Sequence, residues 1–324
     1  MYPVWDVSSW QAVENEQMGQ KAKVWYTSPD GEEYLFKRGR ENCGENWSEK
    51  CAAEVAATLD IPHAEIQLAE ASGQQGTISR RFTQKGPWSQ QILVHGNELL
   101  FRDDPQYPKD GPNFRVSQHT LPRILDVLAK VRPPTSAQQL PFPGYSAIDV
   151  FTGYLMLDAL ISNTDRHHAN WAVIEVRGPS AEHSTELAPT FDHASSLGRE
   201  LSDTQRATRL RAEVLGGSAD QIRRRRPQTV VGYLDSPHAR SRIYSSEYPS
   251  AALSPMAVFA NVFRLLPPSA NAWLQVLESV PLSRFNEIFS QVPASLMSQV
   301  ARDFCMRLME LNRQALLDRS FRYV

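Results

Sequence analysis

Residues 158–176 read DALISNTDRHHANWAVIEV, and the reading of the fold starts from them. Upstream, Val150, Phe151, Tyr154, Leu155, Leu157, Leu160 and Ile161 recur with helical spacing, which predicts a buried helix over 145–162. Downstream, 171–176 is a short apolar run of β type. The polar stretch between them is therefore a loop pinned between two buried elements. Inside it Asp165 and Asn170 stand five positions apart. That spacing lets a carboxylate face a substrate hydroxyl while an amide oxygen reaches a magnesium ion on a chain of phosphates.

Such chemistry needs a second acid soon after the loop, at the end of a strand. Residues 188–191, Ala-Pro-Thr-Phe, lead into Asp192, and 193–198 read as a turn. Asp192 then lies across a small hairpin whose tip is 178–186. Taken singly, an Asp or Asn in a polar loop is usually a turn former or a helix cap. Taken together, D-x-x-x-x-N after a buried helix, a strand and a second Asp point to phosphoryl transfer.

The blocks NTDRHHANW (163–171) and FDHASSLG (191–198) resemble the HipA-like serine/threonine kinases, the toxin-type bacterial kinases. More distantly, D-R-H-x-x-N is similar to the phosphatidylinositol 3- and 4-kinases. The resemblance implies an α+β fold of two lobes. The first, over 1–87, is a small β-rich lobe with one main helix; the second, over 88–324, is larger and mostly helical. It also implies ATP and Mg2+ as cofactors and a protein hydroxyl as acceptor. Asp165 would orient or deprotonate that hydroxyl, Arg166 would brace the active conformation, and His167 would assist proton transfer. Asn170 and Asp192 would bind the metal.

The N-terminal third supplies the other expected parts. Residues 23–27 and 33–37 alternate as two strands around the turn Ser28-Pro29-Asp30-Gly31 and end on Lys37, the candidate for gripping the α- and β-phosphates. An edge lysine is otherwise an ordinary solvated charge. Before the hairpin, Gly19 and Lys21 occupy the place of a phosphate-covering loop. A helix is predicted over 47–59, capped by Ser48, with Ala52, Ala53, Val55, Ala56 and Leu59 as its apolar face. Glu49 is the expected ion-pair partner of Lys37, with Glu54 in reserve. Strands follow over 61–68 and 76–82, and backbone groups near Arg81 and Phe82 are the expected adenine contacts. The first lobe closes near Gly86 and Pro87.

Beyond it, 88–144 is broken by eight prolines and shows one readable helix, 120–130. A charged helix over 198–215 ends at Gly216-Gly217, and the run Arg223 to Arg226 reads as a solvated face able to dock an acidic surface, RNA or anionic lipid. Residues 256–323 carry three or four amphipathic helices separated by prolines.

Composition narrows the class. The chain has 324 residues and a net charge of −2, which gives no electrostatic reason for nucleic acid as a main partner. Cys43, Cys51 and Cys305 form neither a disulfide framework nor a zinc pattern, and adjacent His167 and His168 cannot readily share one zinc. No signal peptide or membrane span is readable, so a cytoplasmic protein is expected, or one delivered into another cell. Only 36 residues precede Lys37, too few for the extra N-terminal subdomain of full-length toxins. The expectation is a short toxin or effector acting on a component of translation, with an antitoxin or a separate small N-terminal-like subunit as partner. A lipid kinase and a nucleotide-binding pseudokinase are the alternatives.

Overall fold

The computed structural model describes residues 1–16, 23–83, 90–111, 115–135, 145–177, 184–236, 239–248 and 252–321. The N-terminal part is a six-stranded sheet of β1 (Val4–Asp6), β2 (Gln11–Glu16), β3 (Lys23–Thr27), β4 (Glu33–Arg38), β5 (Ile66–Ala71) and β6 (Gln74–Arg80), with α1 (Glu45–Thr58) between β4 and β5. The strand order is β1-β5-β6-β4-β3-β2, with β1 parallel to β5 and the other pairs antiparallel. In the central hairpin Lys23 pairs with Lys37, and Lys37 in turn lies opposite Thr77 on β6. Lys37 is thus fixed on an inner strand with a neighbour on each side.

A second, three-stranded antiparallel sheet consists of β7 (Gln90–His95), β8 (Ala172–Arg177) and β9 (Ser184–Leu187). The helices α2 (Gly96–Asp103), α3 (Leu121–Leu128) and α4 (Ala147–Ile161) come between β7 and β8. After β9 follow α5 (Asp203–Val214), α6 (Ala219–Arg225), a 3-10 turn Arg226–Gln228, and α7 (Val230–Leu234). The chain finishes with α8 (Pro255–Leu265), α9 (Pro267–Ser279), α10 (Leu282–Ser290) and α11 (Gln299–Leu317).

α4 is the axis of the helical part. Its sequence is apolar on every face, so burial all round is the stable solution. A reciprocal capping box between Ser146 and Asp149 starts it, and Trp273 of α9 donates to the Asp149 carbonyl at 2.7 Å. A Cβ on Gly153 would come within 2.5 Å of the Trp273 ring, so the close approach of α9 requires glycine there. The helix ends at Ser162 in the left-handed conformation, where Asn312 of α11 donates to the Leu160 carbonyl at 2.9 Å and to Ser162 Oγ at 2.8 Å. Among the described residues no helix is long and apolar enough to cross a membrane.

The architecture agrees with an α+β kinase-like fold, and several local expectations change. α1 begins at Glu45, not at residue 47. Ser48 is not its cap but a fully buried interior residue whose hydroxyl donates to the Ser196 carbonyl at 2.9 Å. The predicted strand 61–68 is shifted: residues 61–65 connect, and β5 starts at Ile66. The stretch read as irregular contains β7 and α2, and α5 starts at Asp203 because 198–202 turn first. Gly19, Lys21, Gly86, Pro87 and most of the 178–186 tip lie outside the described residues.

Candidate active site

A cavity of 810 Å³ is lined by Lys37 and Glu49 from the N-terminal part, by Asp165, His167 and Asn170 from the loop after α4, and by Asp192 beyond β9. Arg81 and Phe82 line it too, beside Leu35, Ile66 and Phe191. Lys37 Nζ stands 3.4 Å from Asp192 Oδ1.

The loop is held by its own polar groups. Arg166 is fully buried; Nε and Nη2 bind the two oxygens of Asp158 at 2.7 and 2.8 Å, Nη2 also reaches Thr190 Oγ1 at 3.0 Å, and Nη1 donates to the Asn170 carbonyl. Asn163 Nδ2 completes Asp158 at 2.8 Å, and Asn163 Oδ1 accepts from the Asp165 amide at 3.2 Å. Asn170 Nδ2 donates to the Asp165 carbonyl at 2.8 Å. Its amide nitrogen is thereby spent inside the loop, which leaves Oδ1 as the atom free to serve a cation. The Thr164 amide and hydroxyl both donate to the Ser195 carbonyl, at 2.9 and 3.1 Å, which ties this loop to the segment after Asp192.

Asp192 itself has a left-handed backbone, φ +61°, a conformation that costs a non-glycine residue about 1 kcal/mol. Its neighbour His193 is what anchors Glu49. The His193 amide donates to Glu49 Oε1 at 2.9 Å, while its ring Nε2 shares a hydrogen bond of 2.8 Å with Thr190 Oγ1. A continuous buried chain therefore runs Asp158, Arg166, Thr190, His193, Glu49. Burial alone would raise the Glu49 carboxyl, but the hydrogen bond from His193 and the charge of Lys37 hold it below its ordinary value. Among the described residues Glu49 Oε2 has no hydrogen-bond partner, so one oxygen of the carboxylate is left for a cationic neighbour.

The two adjacent histidines have different surroundings. His168 is buried against Tyr107, whose hydroxyl lies 2.9 Å from Nδ1, and burial lowers its pKa to about 4. His167 lines the cavity; burial lowers it to about 4 as well, against the opposing pull of Asp192, so it is neutral at pH 7, with Nδ1 accepting from the Ala169 amide at 3.2 Å. The Arg81 amide donates to the Glu33 carbonyl at 2.9 Å, while its guanidinium lies 4.0 Å over the Trp25 ring. Phe82 packs toward Phe191, ring centroids 6.2 Å apart.

Three participants had escaped the sequence. His193 and Thr190 sit in an otherwise apolar run, and their polarity beside Asp192 was the available signal. Arg242 had none: it comes from an irregular stretch, has φ +70°, and places Nε 3.8 Å from Asp165 Oδ1. Its carbonyl accepts from His119 Nδ1 at 3.0 Å, and His119 Nε2 accepts from Trp171 Nε1 at 3.1 Å.

Comparison with known proteins bears on the fold and the family. The structure is similar to a proinflammatory kinase of Helicobacter pylori, CtkA, with a TM-score of 0.68 at 16% identity over 98% of this chain and 96% of that one. It is also similar to HipA of Shewanella oneidensis MR-1, from a complex with HipB and operator DNA, with a TM-score of 0.52 at 12% identity over 98% of this chain and 67% of that one. At such identities the likeness establishes the fold. Comparison with curated protein sequences gives no match. Residues 15–243 match the HipA-like C-terminal domain, and the chain belongs to that family.

Proposed function

We propose that this chain is a serine/threonine protein kinase that uses ATP and Mg2+. The observation that carries the reading is the convergence of Lys37, Asp165, Asn170 and Asp192 on one cavity. A carboxylate and an amide oxygen are hard ligands suited to Mg2+, with Asp192 and Asn170 as its protein ligands. Among the described residues no group of three or more His, Cys, Asp or Glu is placed to hold a metal ion. This suits a cation that completes its shell with phosphate oxygens and water. When bound, ATP supplies the phosphoryl group and Mg2+ offsets its charge.

The chain's own residues do the rest. Lys37, paired with Asp192 at 3.4 Å and within the field of Glu49, would position the phosphates. Leu35, Ile66, Phe82 and Phe191 provide apolar walls for a base. Asp165 orients the acceptor hydroxyl and accepts its proton, with neutral His167 beside it as a relay. Catalysis of this kind is mostly positioning and charge neutralisation. A protein antitoxin or a small separate subunit is proposed as partner, on the strength of the family and of the HipB complex of the Shewanella relative.

The test is incubation of the purified chain with labelled ATP and Mg2+, offered protein extract or phosphoinositide, followed by mass spectrometry. Label on protein is expected, and Asp165→Ala and Asp192→Ala should each lower it by about 10²-fold or more. Asp165→Ala should keep a thermal shift with ATP and Mg2+. Label on lipid alone would replace the acceptor, and a shift without any transfer would make the chain a nucleotide-binding pseudokinase.

A further inference from the structure

α6 has no buried residue, and positions 214–224 around it are exposed throughout. A seven-residue helix does not persist in water by its own propensity. This one is held at its ends. Ser218 and Gln221 form a reciprocal capping box, and Arg225 donates to the Gly216 carbonyl at 2.7 Å. The rim is fixed too, with Arg209 donating to the carbonyls of Pro227 and Thr229 and Arg226 paired to Asp235 at 2.7 Å. A prominence without a core contribution is thus kept in shape by polar clamps.

What it presents is unusual for a surface that faces only water. Val214 is 83% exposed, Ile222 54% and Leu215 49%. Around them, residues 206–226 carry seven arginines against Glu213 and Asp220, in a chain whose net charge is −2; Arg206 is buried and paired with Asp203, Arg226 is paired with Asp235, and the other five surround the aliphatic side chains. The side chains of Arg211, Arg223 and Arg224 make no hydrogen bond or ion pair with any described residue.

We infer that this prominence docks on anionic lipid bilayers, with the three aliphatic side chains entering the headgroup boundary and the free arginines meeting lipid phosphates and carboxylates. Positive charge and protruding aliphatic groups together are what an interfacial helix requires. A second copy of the same patch would be repelled by its own charge. Single-stranded nucleic acid is gripped by basic residues with stacking aromatics, and 206–226 contain no aromatic residue. The inference does not depend on the catalytic reading.

Sedimentation of the full chain with vesicles tests it. Binding is expected to vesicles of phosphatidylcholine with 30% phosphatidylserine, to be much weaker with phosphatidylcholine alone, and to fall in 0.5 M NaCl. Arg223→Glu with Arg224→Glu should reduce partitioning by at least about 25-fold, at roughly fivefold per arginine lost. Leu215→Ser with Ile222→Ser should reduce it independently at unchanged thermal stability, since both residues are exposed. Equal binding to neutral vesicles, no binding to anionic ones, or anionic binding that survives either double variant would overturn the assignment. Binding to RNA or polyglutamate without vesicle binding would overturn it in favour of a soluble polyanion.

Discussion

Arg166 and Asp158 form a bidentate ion pair, 2.7 and 2.8 Å, with both side chains shut off from water. The pair joins the last turns of α4 to the loop that bears Asp165. Removing one partner of a buried pair strands the other charge, at a cost of about 3–5 kcal/mol. Asp158→Ala is therefore expected to lower unfolding stability by that order in urea titrations. Asp158→Asn, which keeps the shape and one acceptor, should cost less. A loss under about 1 kcal/mol in Asp158→Ala would mean that the loop is braced elsewhere.

Lys37 and Asp192 behave oppositely. Their pair is partly open to solvent, and such pairs contribute at most about 1 kcal/mol. Lys37→Met should leave the thermal midpoint within a few degrees of wild type while phosphate transfer drops by about 10²-fold or more. Circular dichroism melting and a label-transfer assay on the same preparation separate the two effects; a large fall in stability would place Lys37 in the scaffold.

Three histidines are held neutral by burial: His119 with a pKa of about 3, His167 and His168 with about 4. Each would take a proton near pH 6.5 when unfolded. Their folded pKa values lie below the unfolded one, so the unfolded state binds more protons under pH 6.5. The stability they permit is complete above that pH and declines as pH falls toward 4, with a slope approaching about 1.4 kcal/mol per pH unit for each histidine. Urea unfolding at pH 7.5, 6 and 5 should show a monotonic fall. Imidazole NMR signals of His119, His167 or His168 that titrate near pH 6.5 in the native state would contradict it.

The parts legible in the sequence were those where one short segment sets its own structure. The strand pair ending at Lys37 has a four-residue turn between alternating runs, and α4 has an apolar pattern no other element could absorb. What was not legible depended on long-range contacts. β7 is a strand only because β8 lies beside it, with Val94 opposite Val173. Ser48 looked like a cap because serine starts helices, but its hydroxyl serves Ser196, 148 positions away. Glu49 looked like a partner for Lys37, and its firmest bond is to the backbone of His193, a contact no local rule announces.

Arg242 is the clearest such case, and it leads to a last expectation. Its guanidinium approaches Asp165 and its carbonyl is fastened to His119, yet the described residues lining the cavity do not include it. It should therefore act on the orientation of Asp165 toward the acceptor and not on nucleotide binding. Because Arg242 is left-handed at φ +70°, glycine fits its backbone without strain. Arg242→Gly should leave stability within about 1 kcal/mol of wild type. The turnover number should fall about tenfold, equivalent to ~1.4 kcal/mol of transition-state stabilisation, with the KM for ATP unchanged. Steady-state kinetics with ATP and acceptor varied in turn decide it: a raised KM for ATP with normal turnover would put the arginine on the nucleotide, and unchanged kinetics would reduce it to a surface charge.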